Sequence, residues 1–189
     1  MTERVCVILD SWIIQDGNYG DFARGDRRPF ALSFYPKELV PVQPWESSQP
    51  SFTHKGLGEY AVRGRRVFEA RGWWVIDIGL LAYAEHAPAP SGAELVRGRL
   101  QLGIDPFSYF ERLARTADAP ALVYDWEIEK IERGARPLVV HASDQATMPS
   151  AAKPVDVERT DAWRDDGGRA AYLLHCRRLP GEPRWTLRP

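Results

Sequence analysis

One basic tetrapeptide occurs twice: Val-Arg-Gly-Arg is found at residues 62–65 and again at 96–99. Each copy lies in a run that alternates apolar and polar residues. In a strand, Arg63, Arg65, Arg97 and Arg99 would therefore project from one side while Val62 and Val96 point to the other. Four guanidinium groups on one sheet face could track a phosphate backbone, with Tyr60, Trp73 and Tyr83 as stacking partners for the bases of single-stranded nucleic acid. The competing reading is a ladder of ion pairs. Asp125, Glu127 and Glu129 have the alternation needed to face the 97–99 row. The formal net charge of −1 speaks against a wholesale polyanion binder.

A second candidate is the segment 16–28, dense in turn formers, where Asp16, Tyr19, Asp21 and Asp26 could gather a cation or a small ligand. A calcium loop needs acidic ligands at alternate positions, and these carboxylates are too widely spaced. Turn building by Gly and Asp is the plain alternative. Arg24-Gly25-Asp26 spells an adhesion tripeptide, but a match of three residues is expected by chance.

A third candidate is Asp77, the one carboxylate in the most apolar stretch of the chain. Buried alone it would be costly, so it must be paired, hydrogen-bonded or set in a cleft. In a cleft with Asp10 it could do acid–base chemistry. An Arg on a neighbouring strand would make it structural instead.

Nothing else has the spacing of a known chemistry. His54, His86, His141 and His175 are scattered, without metal-ligand spacing. No nucleophile elbow, phosphate loop or dinucleotide fingerprint occurs, so no cofactor and no metal are expected. Cys6 and Cys176 sit in apolar strand-like runs near opposite ends and read as buried free thiols, the alternative being a disulfide between first and last strands.

The elements that would position these groups are mostly strands. In 73–84 the even residues Trp74, Ile76, Ile78, Leu80, Ala82 and Ala84 are all apolar. The odd ones carry Trp73, Asp77, Gly79 and Tyr83. This is the pattern of a central strand with one core face and one more polar face. Residues 5–15 and 29–35 read as a long N-terminal hairpin, and 59–69, 94–104, 121–131 and 170–179 as further strands. Pro36, Pro41, Pro44 and Pro50 make 36–58 an ordered loop lidding one end of the sheet. Asp105-Pro106 opens the one convincing helix, an Asp N-cap followed by Pro, with Phe107, Phe110, Leu113 and Ala114 as its apolar stripe. Residues 142–169 form a second long loop, anchored by Trp163, and the tail from Pro180 is exposed or edge-lying.

The expected architecture is a single all-β domain, 1–189, with one short helix: an antiparallel, partly closed barrel with an additional N-terminal hairpin. The order of elements over 59–179 resembles the OB-fold, a small Greek-key barrel with a helix after its third strand. No family motif accompanies that topological resemblance, and another barrel or sandwich is the alternative. At 44% apolar residues a chain of 189 can bury a core without staples. No apolar run approaches the roughly 20 residues of a membrane span, and no export signal precedes the first strand, so the expected location is cytoplasmic. Arg outnumbers Lys, 21 to 4, as in a GC-rich bacterial coding sequence.

These features point first to a non-catalytic binding module that presents a sheet face and its long loops to a protein or to single-stranded nucleic acid. The alternative is a small-ligand carrier or enzyme with a pocket at the barrel end, near Asp77 and the 16–28 loop.

Overall fold

The computed structural model describes residues 3–43, 45–134, 153–164 and 170–187. The expected polar stretch 142–152, the run 137–141 with His141, and the turn 165–168 lie outside the described residues. The chain forms β1 (Arg4–Asp10), α1 (Ser11–Gln15), β2 (Arg27–Pro41), β3 (Ser51–Gly56), β4 (Glu59–Ala70), β5 (Trp73–Asp77), β6 (Leu81–Glu85), β7 (Leu95–Ile104), α2 (Ser108–Glu111), β8 (Val123–Gly134), β9 (Val155–Val157) and β10 (Ala171–Arg178), with a 3-10 turn at Leu113–Arg115.

The ten strands make one sheet in the order β3-β4-β5-β6-β2-β7-β1-β10-β8-β9. It is mixed, because β2 runs parallel to β6 and β1 parallel to β7, while the other pairs are antiparallel. Two further pairings, β4 with β7 and β2 with β8, bend it into a partial ring. The expectation of a β-rich chain with little helix holds, but the helix expected after Asp105-Pro106 is only the four residues of α2 and a 3-10 turn, and α1 is additional. A clear antiparallel barrel does not form, and the OB order is not reproduced.

The N-terminal hairpin is also overturned. β1 ends at Asp10, and Trp12 to Gln15 turn into α1 rather than continuing the strand. β1 then lies between β7 and β10, with no pairing to β2. The expected lid 36–58 is largely strand, because β2 runs through to Pro41 and β3 begins at Ser51. Pro36 enters the ladder without donating an N–H because the register breaks in a bulge between Pro36 and Glu38. Gly98 lies against this bulge with φ +147°, where a Cβ would collide with the Glu38 carbonyl oxygen.

The 73–84 stretch is two strands and not one. Gly79, at φ +97°, reverses the chain between β5 and β6. Trp74 pairs with Ala84 and Ile76 with Ala82 across the hairpin. Even residues thus stay on one face, and all six sit in the main core with Phe30, Leu32, Phe34, Leu100, Trp126 and Tyr172. The odd residues Trp73, Val75 and Tyr83 are buried too, in a second cluster with Ala31, Tyr109, Leu113, Leu122 and Val123. The helical segment therefore covers the odd face.

Candidate functional site

The Arg residues of the two tetrapeptides do come together, on neighbouring strands β4 and β7. Their counter-ions differ from those expected. Arg97 meets Glu46 at 3.0 Å, Arg99 meets Glu38 and Glu59 at 3.5 Å, and Arg65 meets Glu94 at 3.3 Å. Asp125 and Glu127 instead serve Arg184 and Arg177, and Glu129 serves Arg4 and Arg177. The reason is topological: β8 pairs with β2, β9 and β10, never with β7. The proposed stacking partners Tyr60, Trp73 and Tyr83 are all buried, so none of these three serves as an aromatic platform beside the Arg row.

Asp77 is not in a cleft with Asp10. It sits at the β5–β6 turn, where its Oδ1 accepts the Gly79 N–H at 2.8 Å. Asp10 ends β1. Within the 16–28 loop, Asp16 is exposed just after α1. Asp21 is a clasp: its Oδ1 accepts from the Thr160 hydroxyl at 2.7 Å and the Ala162 N–H at 3.3 Å. Thr160 Oγ1 in turn accepts the Phe22 N–H at 3.0 Å. Asp26 closes a local turn on the Ala23 N–H and Arg28. These three carboxylates do not converge.

Tyr83 bonds instead to a residue whose only expected role was to cap a helix, and Tyr19 packs on Phe107 two residues further on. Asp105 follows β7 directly and has no solvent-exposed surface. Its Oδ1 accepts the Tyr83 hydroxyl at 2.5 Å and the Tyr109 N–H at 3.1 Å. Asp105 is not the N-cap of α2, a place that Phe107 takes, but its carboxylate still accepts an N–H of the helix's first turn. Asp105 Oδ2 has no hydrogen-bond partner, and neither does the buried Tyr19 hydroxyl. Groups of this kind are rare inside proteins and usually belong to a water, an ion or a ligand.

Burial drives the protonation of this cluster. It raises Asp105 to about 6, against the opposing pull of the Tyr83 and Tyr109 hydrogen bonds and with help from the charges of Glu85 and Glu111. Burial likewise raises the Tyr83 hydroxyl well above its ordinary value, with Asp105 as the next cause. The same two causes act on Tyr19. Between Asp105 and α2, Phe107 adopts a left-handed backbone at φ +74°, a conformation that costs a bulky residue about 1–3 kcal/mol and clusters at functional sites. Its ring lies edge-on to Tyr19, 5.1 Å between centroids.

A separate cleft of about 240 Å³ is lined by Arg4, Cys6, His54, Tyr60, Glu129 and His175, among others. Cys6 Sγ lies 3.9 Å from His175 Nε2, but the same nitrogen meets Glu132 Oε2 at 2.7 Å. One nitrogen cannot relay a proton between the two, and burial pushes the Cys6 thiol up to about 11. Cys6 and Cys176 are both free and buried, as expected, and the disulfide alternative falls. Among the described residues no group of three or more His, Cys, Asp or Glu could hold a metal ion, and no helix is long and apolar enough to cross a membrane.

Compared with family models, curated proteins and solved structures, the chain shows no significant match.

Proposed function

We propose that the protein is a non-catalytic binding protein for a small polar ligand, held at Asp105 beneath the 16–28 loop. The observation that carries this reading is the pair of orphaned groups, Asp105 Oδ2 and the Tyr19 hydroxyl, linked by Phe107, whose ring packs on Tyr19 two residues after Asp105. The strained Phe107 beside them supports it. The bonds that fix Oδ1 leave the second oxygen preorganised for a partner. The phenols around it, raised by burial, are donors and acceptors rather than proton relays at neutral pH. The Arg row gives less support to a nucleic-acid partner, because carboxylates pair with Arg65, Arg97 and Arg99 and its intended stacking residues are inside.

The test is a small panel of ethanol, acetamide and ethylammonium chloride, titrated into the labelled full chain and read at the ring resonances of Tyr19, Tyr83 and Phe107. At least one probe is expected to shift these rings saturably, and Tyr19→Phe to weaken that binding. A panel that leaves all three rings unmoved would overturn the reading.

A second reading, a protein partner, rests on exposed tryptophans. Trp12 is 45% and Trp163 67% exposed. The elements bearing them are tied together, as Gln15 Nε2 donates to the Ala162 carbonyl at 2.7 Å. Exposed Trp is the residue type that most often anchors interfaces.

A further inference from the structure

The hydrogen bonds of Asp105 leave its charge unbalanced. The charges acting on it most strongly, Glu85 after Tyr83 on β6 and Glu111 on α2, are themselves negative. The groups bonded to it are Tyr83 from β6 and the Tyr109 N–H from α2, and its charge also acts on Tyr35 of β2 and Tyr19 of the loop. Among the described residues no Arg or Lys pairs with it, and Arg112 is taken by Glu85. A sealed carboxylate without a counter-ion is costly.

Its surroundings are those a cation would choose. An unbroken run of rings extends from the loop to β6: Tyr19 to Phe107 at 5.1 Å, Phe107 to Phe110 at 5.1 Å, Phe110 to Tyr109 at 5.7 Å, and Tyr109 to Tyr83 at 6.3 Å. The last ring, Tyr83, is bonded to Asp105, and the first, Tyr19, feels its charge. Ring faces carry negative potential and attract cations, most strongly where water is excluded. A hydroxyl ligand could also fill one vacancy, but it would leave the charge uncompensated.

We propose that the Asp105 site takes a small organic cation, a primary ammonium group that donates to Asp105 Oδ2 and to the Tyr19 hydroxyl and rests its alkyl part on the rings of Tyr19 and Phe107. This rests on the reading that the site binds a small ligand, and it names the class. Three donors on an ammonium match the vacant lone pairs of the carboxylate and the phenol oxygen.

The experiment titrates ethylammonium chloride and its neutral isostere ethanol, at constant ionic strength, into the full chain and follows the rings of Tyr19, Tyr83 and Phe107. Ethylammonium is expected to bind at least about tenfold more tightly than ethanol. Asp105→Asn is expected to weaken ethylammonium about tenfold and leave ethanol unchanged. Wild-type affinity for ethylammonium should fall between about pH 7.5 and pH 5, as Asp105 takes its proton. If ethanol binds as tightly as ethylammonium and Asp105→Asn leaves both alone, the site is polar but not cation-selective, and only the ammonium assignment fails. If neither probe moves the rings, the small-ligand reading fails with it. Should Asp105→Asn not fold, the wild-type pH titration decides: an ethylammonium affinity that does not fall toward pH 5 overturns the proposal.

Discussion

Arg63 and Arg97 stand directly opposite each other at the point where the two Val-Arg-Gly-Arg segments meet in antiparallel register. Val62 faces Gly98 and Gly64 faces Val96, so each valine of one copy lies beside the glycine of the other. Like charges directly opposite on a sheet repel. Here Glu38, Glu46, Glu59 and Glu94 from flanking segments offset that repulsion. The repeated tetrapeptide is a balanced charge ladder with its glycines set by packing.

Balanced in this way, the row should not attract nucleic acid. Fluorescence anisotropy with a single-stranded oligonucleotide at low salt is expected to show no tight binding, and Arg63→Glu with Arg97→Glu to leave the titration unchanged. Arg97→Glu by itself should alter stability by less than about 1 kcal/mol, as for exposed pairs generally. A steep salt dependence in the wild-type protein would contradict the ladder.

The two glycines should be far less tolerant than the arginines. A Cβ at Gly64 would lie 2.6 Å from the Ile76 side chain and 2.8 Å from the Asp77 carbonyl oxygen, and one at Gly98 would meet the backbone of Glu38. Gly64→Ala and Gly98→Ala are each expected to cost more than about 2 kcal/mol in urea unfolding, through overpacking and, at Gly98, φ strain. Gly20→Ala, with open space around it and no positive φ, is the control and should stay within about 0.5 kcal/mol.

Asp105 should make the protein less stable as pH rises. Its folded-state value, raised to about 6, exceeds the ordinary carboxyl value of 3.8. The folded state therefore binds the proton more tightly, and this group's contribution is fully present at low pH and lost as pH rises through about 6. A shift of roughly two units corresponds to about 3 kcal/mol. Subtracting the pH–stability curve of Asp105→Asn from that of the wild type isolates this contribution, since Asp125 and Glu132, held low in the folded state by Arg184 and by Lys130 with His175, act with the opposite sign in both proteins. A difference curve that is flat between about pH 4 and pH 7 would contradict the burial of an ionising Asp105.

Thr160 should hold the 16–28 loop in place. It is fully buried, accepts the Phe22 N–H, donates to Asp21, and its own N–H meets the Phe22 carbonyl at 2.9 Å. Thr160→Val keeps the volume but removes the hydroxyl, so it should cost about 1–3 kcal/mol and speed amide exchange at Phe22 more than at β7. Equal exchange at both places would show that the clasp is not what fixes the loop.

The sequence by itself determined one of the two inward faces of 73–84. A period of two placed Trp74, Ile76, Ile78, Leu80, Ala82 and Ala84 in one core even though a hairpin interrupts them, because pairing across the Gly79 turn keeps even residues beside even ones. It also marked Cys6 and Cys176 as buried thiols and the chain as β-rich, since those follow from local composition and alternation. What only the tertiary structure decided is which strands become neighbours and what covers each face. β1 lies between β7 and β10, and the odd face of β5 and β6 is sealed by α2, because those choices depend on pairings between residues far apart in the chain. Asp105 shows the same division. Beside Pro106 it carries the local signature of a helix cap; Phe107 takes the cap position, and Asp105 accepts only the Tyr109 N–H of the first turn. Its second oxygen becomes an orphan beside Tyr19 and Tyr83 only when a loop and a strand more than twenty residues away fold over it, which no alternation of polar and apolar residues encodes.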